Sequence, residues 1–186
     1  MQLSVIIPTY NRAHTLQRAL DSIFNQSSAV DEVIVIDDGS TDDSVNFIQQ
    51  HFPQVRILQQ HNQGVSAARN NGIKAASYDW IALLDSDDEW MPEKIKTIRQ
   101  LHALNPEKLF FHSNEIWIRD AVRVNAMNKH QKYGGWIFEQ CLPLCVISPS
   151  ASVIHQKIFL QTGLFNEALP ACEDYDLWLR ICHQFE

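Results

Sequence analysis

The sequence predicts an α/β domain with a mostly parallel central sheet flanked by helices. Three observations predict it. Short apolar runs alternate with segments of helical period four times before residue 105, which is the pattern of consecutive βα units on a parallel sheet. Polar, acid-rich motifs fall at the ends of the predicted strands, where open α/β sheets bind their ligands. The chain has 186 residues, 45% hydrophobic and 20% charged. That size suits a single domain, and roughly 70% of the unfolded surface can be buried without disulfides or a structural metal.

Leu3 to Ile7 is the first strand, and Leu16, Ala19, Leu20, Ile23 and Phe24 give the following helix a buried stripe. Val33 to Ile36 is the second strand. Ser40 or Thr41 is expected to cap the next helix, whose apolar positions are Val45, Ile48 and Phe52. Val55 to Leu58 is a third strand, and Ser66 to Ala76 is a helix of small residues able to approach the sheet closely. Trp80 to Leu84 is the fourth and most hydrophobic strand. Pro92 suits the first position of a helix in which Ile95, Ile98, Leu101 and Leu104 recur at helical spacing.

Beyond Asn105 the pattern is less regular. Leu109 to His112, Glu115 to Arg119 and Ser150 to Ile154 read as strands, and Asn125 to Gly135 as a mobile polar loop. Gln156 to Thr162 is a short helix with Gly163 as its C-terminal cap, and a last amphipathic helix near Asp174 packs Leu177, Trp178 and Ile181. The expected organisation is one domain over 1–186, with a regular nucleotide-fold half at 1–105 and a less regular half at 106–186.

A net charge of -7, from 22 acidic and 15 basic residues, argues against a nucleic-acid partner. Cys141, Cys145, Cys172 and Cys182 match neither zinc-ribbon nor dense disulfide spacing, so they are expected to be thiols in a reducing cytoplasm. Met1 to Ile7 has no basic flank and meets Pro8 at once, and it reads as a strand, not a leader. No apolar run approaches the roughly 20 residues of a membrane span. Any membrane contact is expected to be peripheral, at the inner face.

The acidic surplus is concentrated in Asp37-Asp38, Asp85 to Glu89 and Glu173 to Asp176. With right-handed crossovers, the loops after strands one, two and four can share one sheet edge. Capping explains these carboxylates poorly, because Ser40 and Thr41 are better placed to cap, and Asp85 lies several residues before Pro92. Clustered like charges normally hold a cation. An Asp-x-Asp pair suits Mn²⁺ or Mg²⁺, which complete their shells with water and phosphate oxygens. The chain has no G-x-x-x-x-G-K and no G-x-G-x-x-G after strand one, which excludes a P-loop NTPase and disfavours a dinucleotide enzyme. A metal-bridged nucleotide diphosphate remains.

Five motifs occur in register: Ser4-Val-Ile-Ile-Pro-Thr-Tyr-Asn-Arg12, Val33-Ile-Val-Ile-Asp-Asp-Gly-Ser-Thr-Asp42, Asn62-x-Gly-x-Ser-x-Ala-Arg-Asn-x-Gly72, Leu84-Asp-Ser-Asp-Asp88 and Glu173-Asp-Tyr-Asp-Leu-Trp-Leu-Arg180. From Leu3 to about Arg180 the chain closely resembles the family 2 glycosyltransferases, which have a Rossmann-like nucleotide-diphospho-sugar transferase (GT-A) fold. The resemblance implies inverting transfer of a sugar from a nucleotide-sugar donor, a UDP-sugar, to an acceptor hydroxyl on a saccharide or lipid-linked saccharide, in cell-envelope or surface polysaccharide synthesis. It implies that Pro8, Thr9, Tyr10 and Arg12 floor the nucleotide site. Asp38, with Asp37 beside it, would accept from the uracil imide. Arg69 and Ser86 would lie near the nucleotide, and Asp85 and Asp87 would form the metal pair, Asp87 touching the ion and Asp85 on the ribose side. Asp88 could stand in for either.

Inverting displacement needs one base for the acceptor hydroxyl and one electrophile for the departing diphosphate. Asp174 is the favoured base, with Glu173 the alternative, although carboxylates there could also cap the last helix. Trp136 and Trp178 are expected to pack in the core; an acceptor pocket is the other reading. The chain ends twelve residues after Asp174 without the Gln-x-x-Arg-Trp of processive relatives, so it is expected to be truncated, with acceptor choice lying within Asn125 to Leu144. The competing readings are a nucleotide-sugar-binding domain without turnover, and a phosphoacceptor signalling domain, which lacks the required strand-end Lys.

Overall fold

The computed structural model describes residues 1–124 and 130–186. The first five residues of the expected mobile loop, 125–129, lie outside the described residues. The elements in order are β1 (Leu3–Thr9), α1 (Ala13–Phe24), β2 (Glu32–Asp37), α2 (Ser44–His51), β3 (Arg56–Gln59), α3 (Val65–Ala75), β4 (Trp80–Leu83) and α4 (Lys94–Leu104). Then come β5 (Phe110–His112), β6 (Trp117–Arg119), β7 (Val122–Val124), α5 (Phe138–Cys141), a 3₁₀ turn (Pro149–Ala151), β8 (Ser152–His155), α6 (Gln156–Thr162) and α7 (Glu173–Gln184).

Six strands form one sheet in the order β3-β2-β1-β4-β8-β5. β1 is parallel to β2 and β4, and β2 to β3, while β8 runs antiparallel between β4 and β5. The sheet is therefore mostly parallel, as expected. Alternation sends Ile6, Ile34, Ile36, Ile81 and Leu83 to the face covered by α3, α6 and α7. Leu3, Val5, Ile7, Val33 and Val35 go to the face covered by α1, α2 and α4. A sheet covered on both faces explains why these strands read as continuous apolar runs.

α3 lies close on the sheet because Gly72 has no side chain. A Cβ there would stand 2.4 Å from Ile6 Cγ2 and 2.6 Å from Ile36 Cδ1. α1 buries Leu16, Ala19, Leu20 and Ile23. Phe24, expected in the same stripe, stays at the rim and stacks on Phe52 with centroids 5.7 Å apart. In α4, Ile95 and Ile98 are buried, but Leu101 and Leu104 are exposed.

Several local expectations are corrected. α2 is not capped by Ser40 or Thr41: it begins at Ser44, whose N–H and hydroxyl both donate to Asp42 Oδ1. Pro92 precedes α4, which starts at Lys94 after Glu93. The run expected as one strand over Glu115 to Arg119 is half of a hairpin, β6–β7, which turns through Asp120 and Ala121 at φ 50 and 60. Such a turn favours Gly, Asn or Asp; Asp120 fits it, but Ala121 in the second position gave no signal for it. Trp178 is buried beside Phe110 and Phe165, whereas Trp136 is exposed. The four cysteines are free thiols. Among the described residues no helix is long and apolar enough to cross a membrane.

Candidate active site

The C-terminal ends of β1, β2 and β4 are neighbours in the sheet, so the first, second and fourth motif loops meet on one edge. Thr9 pairs with Asp37, Asp38 N–H donates to Thr9 O at 2.8 Å, and Leu84 N–H donates to Ile6 O at 3.1 Å. Pro8 lies within β1. The Thr9 hydroxyl is buried with no partner among the described residues. Tyr10 is 48% exposed, its ring free at the rim.

Asn11, not singled out from the sequence, ties the first two loops. Its Oδ1 accepts from Thr41 N–H at 2.8 Å and Asp42 N–H at 3.3 Å, and its own N–H donates to Ser40 Oγ at 2.9 Å. Asn11 takes φ 53 to make these bonds, a conformation that Asn tolerates better than most residues. Arg12 follows as the residue before α1, with its guanidinium 3.8 Å from Asp87 Oδ2.

Asp37 and Asp38, which the sequence left without a structural task, each have one. Asp37 Oδ1 accepts from Ser40 N–H at 3.3 Å. Asp38 Oδ1 accepts from Gln63 N–H at 2.9 Å and Gln60 Nε2 at 2.7 Å, while Oδ2 accepts from Gly64 N–H at 2.9 Å. These bonds fix the loop leading into α3. Gly39 lets that loop close in, since a Cβ there would stand 3.0 Å from the Asn62 nitrogen.

Arg69 is the electrostatic centre. Only 4% exposed, it reaches from α3 to Asp85 Oδ1 and to Glu173 Oε1, each at 2.8 Å. Its guanidinium lies 5.2 Å from the centroid of the Phe165 ring. Burial alone would lower its pKa; Asp85 and Glu173 outweigh burial and raise it. The bridge joins the Asp85 loop to the first turn of α7, with Arg69 and Glu173 104 residues apart in the chain.

Within the fourth loop the carboxylates have separate fates. Asp85 is held by Arg69, Asp88 Oδ2 accepts from the Ser150 hydroxyl at 2.5 Å, and Glu89 pairs with Arg18 at 3.0 Å. Asp87 is the most open of the three aspartates, its side chain 53% exposed and 3.8 Å from the Arg12 guanidinium. Ser86 is buried. Burial raises the pKa of Asp88, the Ser150 hydroxyl opposes this, and Asp85, Asp87 and Glu115 add to the rise.

Glu173 and Asp174 do not cap α7; that position is Cys172, at φ 61, and the two carboxylates sit in the first turn, where the helix dipole favours them. Glu173 is committed to Arg69. Among the described residues Asp174 has no cationic partner in contact: Oδ1 accepts from Tyr175 N–H at 2.7 Å, and Oδ2 lies 3.8 Å from Cys145 Sγ. Burial raises its pKa, and the Glu173 charge adds to that against the opposing Tyr175 N–H and Arg69. Burial and Asp174 push the Cys145 thiol up to about 12, so it faces the carboxylate as S–H.

Among the described residues no group of three or more His, Cys, Asp or Glu side chains is assembled to hold a metal ion. The donor types nevertheless fit a hard divalent ion that takes most of its shell from water and phosphate: Asp87 is exposed at the cleft, and Asp85 Oδ2 accepts no hydrogen bond from the described residues. The edge thus offers an aromatic ring, a buried cation and two carboxylates, Asp87 and Asp174, that make no ion pair closer than 3.8 Å among the described residues.

The family model described as Glycosyl transferase family 2 matches residues 4–158. An uncharacterized glycosyltransferase of Rickettsia felis is 33% identical over 183 residues, covering 97% of this chain and 30% of that protein. An Escherichia coli protein named UDP-Glc:alpha-D-GlcNAc-diphosphoundecaprenol beta-1,3-glucosyltransferase WfaP is 32% identical over 184 residues, covering 96% of this chain and 69% of its own. The chain therefore spans about a third of the former relative's length. S. aureus TarS 1-349 in complex with UDP superposes with a TM-score of 0.77 at 20% identity, covering 97% of this chain and 54% of that one. Mannosyltransferase PcManGT from Pyrobaculum calidifontis, in complex with GDP-Man and Mn2+, gives 0.70 at 18%, covering 97% and 51%. At these identities the likeness shows the fold, which is GT-A.

Proposed function

This chain belongs to glycosyl transferase family 2, and from that premise we propose that it moves a sugar from a UDP-sugar to an acceptor hydroxyl with inversion, aided by Mn²⁺ or Mg²⁺. The observation that carries this reading is the Arg69 bridge. It fastens Asp85, on the donor side, to Glu173, and so brings the neighbouring Asp174 to the same cleft.

Tyr10 offers its exposed ring to the uracil, over the floor formed by Pro8 and Thr9. Asp38 Oδ2, which takes one bond from Gly64, keeps acceptor capacity for the uracil imide, with Asp37 behind it. Asp85 turns its free oxygen to the ribose side, Ser86 supports the loop, and Arg12 and Arg69 supply positive charge beside the phosphates. Asp87, with Asp85 second, would hold the ion. When bound, a divalent ion neutralises the diphosphate and stabilises the departing UDP.

Asp174 takes the proton of the attacking hydroxyl. Glu173 is the poorer base because its carboxylate is spent on Arg69. The raised pKa of Asp174 strengthens it as a base. The acceptor we propose is a saccharide or lipid-linked saccharide of the cell envelope, in keeping with the lipid-linked acceptor that the Escherichia coli relative's name states.

A thermal-shift screen tests the reading. UDP with Mn²⁺ is expected to raise the midpoint, and GDP with Mn²⁺ to raise it less. No shift with UDP and Mn²⁺ would overturn the proposal. Release of sugar from a UDP-sugar would separate turnover from binding alone.

A further inference from the structure

We propose that Ser150 is a positioning residue for the Asp85 to Asp88 loop: from the second half of the chain it clasps both ends of that loop and holds Asp88 back, so that Asp87 and not Asp88 turns to the cleft. The loop is a tight turn, with Asp88 N–H donating to Asp85 O at 3.0 Å. The Ser150 hydroxyl closes it from outside. It accepts from Asp85 N–H at 3.0 Å and donates to Asp88 Oδ2 at 2.5 Å. A single hydroxyl that both donates and accepts is the chemistry this bridge requires.

The clasp is itself anchored. Ser150 is 9% exposed and sits in the 3₁₀ turn before β8. Its carbonyl accepts from Trp90 Nε1 at 2.8 Å, and the next carbonyl, that of Ala151, accepts from Lys94 Nζ at 3.1 Å. The stretch from Asp85 to Lys94 is therefore pinned to the turn at four points. This inference rests on the reading of Asp87 as the ion's ligand, and it assigns Asp88 to structure.

Mn²⁺ binding in the presence of UDP, followed by electron paramagnetic resonance, tests it. Ser150→Ala is expected to weaken Mn²⁺ roughly 10- to 100-fold, the range for loss of a ligand-orienting hydrogen bond, with binding of UDP alone unchanged. Asp88→Asn keeps an oxygen to accept from Ser150 and is expected to hold Mn²⁺ within about threefold, whereas Asp88→Ala matches Ser150→Ala. Unchanged Mn²⁺ affinity in Ser150→Ala, or an Asp88→Asn as defective as Asp87→Asn, would overturn the clasp. If the unmodified chain bound no Mn²⁺ with UDP, the functional reading would fall and the clasp would be judged by urea unfolding. Losses in Ser150→Ala and Asp88→Ala that fail to add in the double variant then support it, and additive losses refute it.

Discussion

Asn70 grips Phe165 by both of its backbone groups: Nδ2 donates to the Phe165 carbonyl at 2.9 Å and Oδ1 accepts its N–H at 3.0 Å. The bond pair joins α3 to the loop before α7 and seats the Phe165 ring beside the Arg69 guanidinium. Arg180 fixes the same loop from α7, donating to the carbonyls of Thr162 and Leu164.

Replacing Asn70 by Ala leaves two buried peptide groups without partners. At roughly 1–3 kcal/mol for each unsatisfied group, the loss of stability is expected to be about 2–6 kcal/mol, read from urea unfolding. A loss below about 1 kcal/mol would show that water or a shifted loop replaces the grip.

Arg69→Lys is not a conservative change here, because one ammonium cannot fork to Asp85 and Glu173 as the guanidinium does. With Asp85 27% and Glu173 16% exposed, the destabilisation is expected at the lower end of the roughly 3–5 kcal/mol for a broken buried pair. UDP affinity, measured calorimetrically, should fall with it.

Asp174→Asn keeps the shape of the side chain and removes the base. Transfer should drop by about 10²- to 10⁴-fold, while the affinity for UDP with Mn²⁺ stays near that of the unmodified protein. Equal loss of both would contradict the role proposed for Asp174.

The raised pKa of Asp174 also has a stability consequence. A carboxyl whose folded pKa lies above its unfolded value favours folding most below the unfolded value, near 3.8, and that contribution fades as pH rises through the folded pKa. Asp174→Asn should therefore gain stability relative to the unmodified protein as pH rises above about 4. Unfolding midpoints in urea across that range give the slope. Activity should rise over the same interval, since the base works deprotonated.

Gly72→Ala places a methyl against Ile6 and Ile36, at 2.4 and 2.6 Å before relaxation. Overpacking of this kind costs roughly 1–3 kcal/mol, despite the better helix propensity of Ala. A variant as stable as the parent would mean that α3 lifts from the sheet without penalty.

The first half of the fold was legible because its signals are local. β1 to β4 are apolar runs, α1 and α4 are periodic, and the small residues of Ser66 to Ala76 announced the close approach that Gly72 makes. The second half was less legible. Ala121 lacks the Gly that would complete a turn signal after Asp120, and the short α5 has no period to read. The insertion of β8 between β4 and β5 depends on pairing Trp80 with His155 across the chain.

The sequence by itself determined the βα alternation, the loops that reach the ligand edge, and the kinds of side chain they carry. Which carboxylate is free was decided only in three dimensions. Asp38 is occupied by Gln60, Gln63 and Gly64, Asp85 by Arg69, Asp88 by Ser150 and Glu173 by Arg69. Among the described residues, Asp87 and Asp174 are left without such close ionic or hydroxyl partners. The reason is physical: a carboxylate's partners are set by packing among segments distant in the chain, and no local pattern records them.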